Sequence, residues 1–126
     1  MDTKDTVLRV YGLSNADRLD LPDYVGQDNC EFPPPDDSGE VFGEPFTALA
    51  IVAATTIAVK GLVAFFAQRS LERQEQETEV EIEVQHPDGR IERRRIKVRD
   101  QGAGMAPELA KELGAVSGIP WTELLP

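Results

Sequence analysis

An apolar run of 22 residues, Phe46 to Ala67, constrains this chain most; only three threonines, Lys60 and Gly61 interrupt it. Pro45 precedes the run and suits a first helical turn, because its missing N–H would have had no intrahelical partner. Alanine is frequent and apolar residues fall on every side, so the run reads as one helix without a polar face. Beyond Gln68 the same helix continues through Arg69-Ser70-Leu71-Glu72-Arg73-Gln74-Glu75, with Arg73 and Glu77 at i,i+4 spacing. A single helix over 46–76 would be about 46 Å long. A compact chain of 126 residues has a radius of gyration of only about 14 Å. Either the helix breaks near Lys60-Gly61, or it projects into a membrane or a partner.

Two environments suit such a run. In the first it spans a membrane, since about 20 apolar residues cross a hydrocarbon core of ~30 Å. Its ten Leu, Ile, Val and Phe residues contribute about −3 to −6 kcal/mol to insertion, against about +2.5 to +3.5 for a central lysine. Insertion is favourable by a narrow margin. Lys60 stands about 12 Å of helix before Gln68, so snorkelling relieves only part of its cost. The residues assigned to membrane contact or helix packing are Phe46, Ala50, Ala53, Ala54, Ala58, Lys60, Gly61, Phe65 and Phe66, the small ones letting helices approach closely. Arg69 and Arg73 follow the run and only acids precede it. This places the protein in the inner (cytoplasmic) membrane with its C-terminal part in the cytoplasm. In the second environment the protein is cytoplasmic, and the run forms the core of a soluble domain or oligomer.

The formal charge of −10 is spread unevenly. Residues 1–45 hold eleven acids against three bases, and 69–126 hold twelve against nine. Such a balance argues against nonspecific nucleic-acid binding, which depends on bases neutralising phosphates. Asp2, Asp5 and Asp17 stand where a secretory signal would need a basic patch and an apolar stretch. The single cysteine, Cys30, cannot form an internal disulfide, and with a single histidine, His86, a Cys/His metal site is excluded for one chain. No basic neighbour activates Cys30. Gly102 and Gly104 make no phosphate loop, and no acidic stretch has the glycine-pivoted spacing of a calcium loop. No set of catalytic side chains is recognisable, so the chain reads as a non-enzyme without cofactor or metal.

Thr6 to Tyr11 is β-branched and aromatic, and reads as one strand stopped by Gly12. Ser14 to Gly43 is acidic and broken by Pro22 and by Pro33-Pro34-Pro35, which is linker chemistry with at most a helical turn near Asn15–Leu19. Glu79 to Val84 alternates strictly, setting Val80, Ile82 and Val84 on one face. Pro87-Asp88-Gly89 is a turn. A three-residue loop with a bulge at Gly89 sets Glu83 opposite Arg93, Glu81 opposite Arg95 and Glu79 opposite Lys97, with Val80 meeting Ile96. The basic run 93–99 is thereby absorbed in an ion-pair ladder. Arg94 and Arg99 are left for partner contacts. After the Gln101–Gly104 joint, Pro107 to Val116 is a short helix carrying Leu109 and Leu113 on one side. The apolar tail with Trp121 suggests docking, on this chain or another.

The order of these parts resembles a bacterial family, the effector-associated constant components of biological-conflict systems, which accompany trypsin-like or caspase-like proteases in antiviral defence loci. The resemblance rests on the strand Val7–Tyr11, the Pro-rich Phe32–Asp37, the Ala-rich Phe46–Ala67 ending at Arg69, and the hairpin Val80–Val98. It covers roughly residues 6–98 and implies a noncatalytic adaptor, or a target of a neighbouring protease.

The expectation is therefore an α+β chain with four parts. Residues 1–45 form an acidic segment with one strand and a linker, and 46–76 form a long apolar helix. Residues 77–100 form a hairpin, which the N-terminal strand joins as a third strand, and 101–126 form a joint, a short helix and a tail. The expected function is that of a membrane-anchored accessory protein of a defence system, a homo-oligomer acting by association with a protein partner. Two alternatives stand beside it: a pore-forming effector released by proteolysis, and a soluble oligomeric binding module.

Overall fold

The computed structural model describes residues 6–32, 48–100 and 104–125. Five antiparallel strands form one sheet: β1 (Val7–Leu13), β2 (Cys30–Glu31), β3 (Ala48–Ala53), β4 (Glu77–Gln85) and β5 (Ile91–Arg99), in the order β2-β3-β1-β4-β5. Among the described residues three α-helices, α1 (Asn15–Val25), α2 (Thr56–Glu72) and α3 (Ala106–Ser117), complete an α+β architecture. Leu8, Val10, Ala50, Val52, Val80, Ile82, Val84, Ile96 and Val98 point to one face of the sheet and are buried in the core with residues of all three helices. In β1 a register irregularity between Val10 and Leu13, at Gly12 with φ +81°, returns Leu13 to that face.

The apolar run is not one helix. It divides at Ala54-Thr55 into the interior strand β3 and the helix α2. Thr55 is extended, and its hydroxyl accepts a hydrogen bond from the Ala58 amide at 3.2 Å, which caps α2. Upstream of it, β-branched Ile51 and Val52 pair with Arg9 and Leu8. The run joins two elements that both pack on the core. Ala50 and Val52 of β3 are buried while Ile51 and Ala53 are half-buried on the other side, and α2 packs on β3, α1 and α3 while Ile57 and Lys60 stay exposed. Among the described residues no helix is long and apolar enough to cross a membrane. The expected long apolar helix over 46–76, and the span built on it, are corrected accordingly.

Its C-terminal boundary moves as well. α2 ends at Glu72 in a two-bond cap, in which the Gln74 amide bonds the Leu71 carbonyl and the Glu75 amide bonds the Ser70 carbonyl. Gln74 takes the left-handed conformation, φ 55°, that glycine usually fills at this position. Arg73 therefore faces Asp17 and Glu75 rather than Glu77, which belongs to β4.

The segment read as linker contains α1. Ser14 and Asp17 form a reciprocal capping box, at 3.1 and 2.9 Å, that starts the helix despite the proline at position 22. α1 runs antiparallel to α2, with Asp17 against Arg69 at 3.1 Å and Tyr24-Val25 against Gly61. A Cβ at Gly61 would overlap the Tyr24 carbonyl, so the two helix backbones approach as closely as glycine allows. Burial pushes the Arg69 guanidinium below its ordinary pKa, and the Asp17 carboxylate opposes that shift.

Candidate functional site

The two sides of the sheet differ in chemistry. The side away from the helices carries the ladder between β4 and β5. Glu83 stands opposite Arg93, Glu81 opposite Arg95 and Glu79 opposite Lys97, the register expected from charge pairing. The turn has the geometry that this register needs: Gly89 takes φ +91°, its amide bonds the His86 carbonyl, and the His86 amide bonds the Arg90 carbonyl. Arg95 reaches both Glu79 and Glu81 at 2.9 Å, and Arg93 reaches Glu83 at 3.2 Å. Glu83 is buried between Arg93 and Arg9, the latter 3.6 Å away. Burial, then the Glu83 carboxylate, raise the neighbouring Tyr11 phenol above its ordinary pKa. Arg94 and Arg99, reserved above for a partner, also have contacts: Arg99 meets Glu77 at 3.2 Å and Arg94 meets Glu92 at 4.0 Å. Both remain exposed.

The helix side carries a groove of about 500 Å³ where the end of α2, the turn after it and the start of α3 meet. Ala64, Ala67 and Leu71 repeat along one stripe of α2, and Tyr24 of α1 and Met105 before α3 complete its apolar lining. Leu71 is 71% exposed, as is Ile57 (74%) at the other end of α2, but of the two only Leu71 lines this groove. Tyr24 is edge-on to Phe65, with ring centres 5.6 Å apart, so the ring is braced while part of it faces solvent. Gln68, Gln74, Gln76, Glu75 and Asp100 form the polar margin. Gln74, whose left-handed conformation costs a non-glycine residue about 1 kcal/mol, lines this groove. No lysine or arginine lines the groove among the described residues.

The residues expected to contact membrane or pack helices are dispersed. Phe46 lies outside the described residues. Ala50 is buried in β3 beneath the helices, Ala53 points to the other side of the sheet, and Ala54 sits in the link to α2. Ala58, Gly61, Phe65 and Phe66 are buried core residues of α2, and Lys60 is exposed to solvent. Trp121 belongs to a 3-10 turn (Trp121–Leu124) folded back on α3, where Leu124 is fully buried and the Lys111 ammonium lies 5.1 Å from the indole centre. Gly114 permits that return, because a Cβ there would lie 2.7 Å from the Ile119 carbonyl oxygen. The tail thus docks on its own chain.

No contiguous motif marks the groove in the sequence, since Tyr24, Leu71 and Met105 come from three separate parts of the chain. The one local signal is Leu71 itself, an apolar residue between Ser70 and Glu72 in a polar stretch. Among the described residues no three His, Cys, Asp or Glu side chains are placed to hold a metal ion. Compared with protein-family models, curated proteins and solved structures, the chain matches none.

Proposed function

We propose that this chain is a noncatalytic association module that receives an apolar segment of a partner protein in the groove between α2 and α3. The observation that carries this reading is the exposed Leu71 at the rim of an apolar groove floored by Ala64 and Ala67. Small residues on the floor let a partner approach the α2 backbone, and the leucine and tyrosine offer the large apolar contacts on which interfaces depend. Gln74 adds support, as a residue in the left-handed conformation at the same place. An accessory role is also what the resemblance to effector-associated components implies, with a trypsin-like or caspase-like protease as the partner. A membrane anchor or a pore formed by 46–67 is not proposed, because its described residues, 48–67, belong to a strand and a helix of a packed domain.

Site-specific photo-crosslinking in the native host tests it. A photoreactive residue at Leu71 should give one discrete protein adduct, and the same residue at Glu92 on β5 should not. The adduct should form again with the purified partner and disappear when Ala64→Arg fills the groove. Equal labelling from both positions, or an adduct indifferent to Ala64→Arg, overturns the proposal.

A further inference from the structure

A strand of unusual charge lies at the edge of the sheet. Residues 90–99 hold six bases, Arg90, Arg93, Arg94, Arg95, Lys97 and Arg99, and one acid, Glu92, in a chain whose formal charge is −10. Only β4 flanks β5 among the described strands, so every second residue of β5 directs its N–H and C=O away from the sheet. Arg93, Arg95, Lys97 and Arg99 project on the face away from the helices, with 81, 69, 64 and 72% of their side chains exposed.

We propose that β5 accepts an acidic extended segment of a partner protein as an added antiparallel strand, with Asp or Glu at alternate positions. An incoming strand would lie about 4.8 Å from β5. It would set its alternate side chains directly opposite Arg93, Arg95, Lys97 and Arg99. Carboxylates there repeat on the outer side the pattern that Glu77, Glu79, Glu81 and Glu83 already form on the inner side. Each base would then lie between two acids, while the backbone supplies the hydrogen bonds of the ladder. A second copy of β5 does not fit the edge. Paired antiparallel about Arg95, it sets Arg95 against itself and Arg93 against Lys97, and like charges directly opposite are destabilising. A nucleic acid is disfavoured because its phosphates supply no alternating N–H and C=O groups to continue the ladder at the open backbone edge of β5. This surface is separate from the groove of α2 and α3, so its test is independent of the Leu71 crosslink.

The test is fluorescence anisotropy on the full chain with a labelled peptide of about ten residues alternating Glu with Thr. Three controls accompany it: the same peptide with Lys for Glu, the Glu peptide N-methylated at alternate backbone positions, and a single-stranded oligonucleotide of equal charge. The Glu peptide should bind at least about tenfold more tightly than any control. Binding should weaken as salt is raised and fall by about tenfold in Arg95→Gln, whose folding is checked by circular dichroism. Equal binding of the N-methylated peptide would mean charge attraction without a strand. Tighter binding of the oligonucleotide would make the surface a nucleic-acid site. No binding of the Glu peptide at about 1 mM would leave the basic edge as a guard against self-pairing. Each of these three results overturns the proposal.

Discussion

Neighbouring residues of β4 serve opposite sides of the same sheet. Val80, Ile82 and Val84 face the helices and are buried, whereas Glu77, Glu79 and Glu81 face away and are exposed. The covered side derives its stability from removing apolar surface from water, at about 25 cal/mol per Å². The other side is held by ion pairs, which solvent screens heavily. Glu83 is the exception, an acid of the uncovered side buried between Arg9 and Arg93. One side therefore specifies the fold, while the other has freedom to carry recognition.

The largest effect should come from Ile82→Ala, which removes a fully buried side chain set against Val10 of β1. A loss of about 2–5 kcal/mol in urea unfolding is expected, and a loss below about 1 kcal/mol would show that the helix layer does not hold this side. Next comes Glu83→Gln, which keeps an acceptor for Arg93 and removes the charge that two arginines share. It should cost about 1 kcal/mol. A cost as large as that of Ile82→Ala would mean that the uncovered side contributes to stability as much as the covered one.

Smallest is Glu77→Gln. The hydrogen bond from Arg99, then the Lys97 charge, hold the Glu77 carboxyl below its ordinary pKa of 4.5. A group with a depressed folded-state pKa stabilises fully above its unfolded pKa and loses that contribution as pH falls through the folded one. The small difference in stability between wild type and Glu77→Gln should therefore be present at neutral pH and vanish on acidification below 4.5. A difference that persists in acid would assign the effect to packing.

The hairpin was legible because two independent signals agree on it. Strict alternation gives the faces, and the Pro-Asp-Gly loop with opposite-charge pairing gives the register. The apolar run was not legible by the same means. A short apolar strand followed directly by an alanine-rich helix gives one continuous apolar run, so periodicity alone cannot separate them. No glycine or proline marks the division; the remaining signal was Thr55, a helix cap following the β-branched Ile51-Val52 pair. α1 was hidden for a different reason. Pro22 and the acids suggested a linker, but Ser14-x-x-Asp17 is a capping box, and it outweighed them once Leu21 and Val25 found the core. The basic strand was visible as a run of arginines, but its position at the sheet edge depends on β1 lying between β3 and β4.

That central position of β1 also sets the order of assembly. β1 leaves the ribosome ahead of both strands that flank it, and its contacts with β4, such as Val7 with Gln85, close over most of the chain. At about 5–20 residues per second, the roughly 70 residues from β1 to β4 take about 4–14 s to emerge. Through that interval a β-branched strand has its hydrogen-bonding edge toward β4 unpaired, the condition in which nascent chains aggregate or recruit chaperones. The hairpin of β4 and β5 is local and folds in microseconds once made. The pairing of β1 with β4 therefore closes the longest loop among the paired strands, the kind of non-local contact that slows folding.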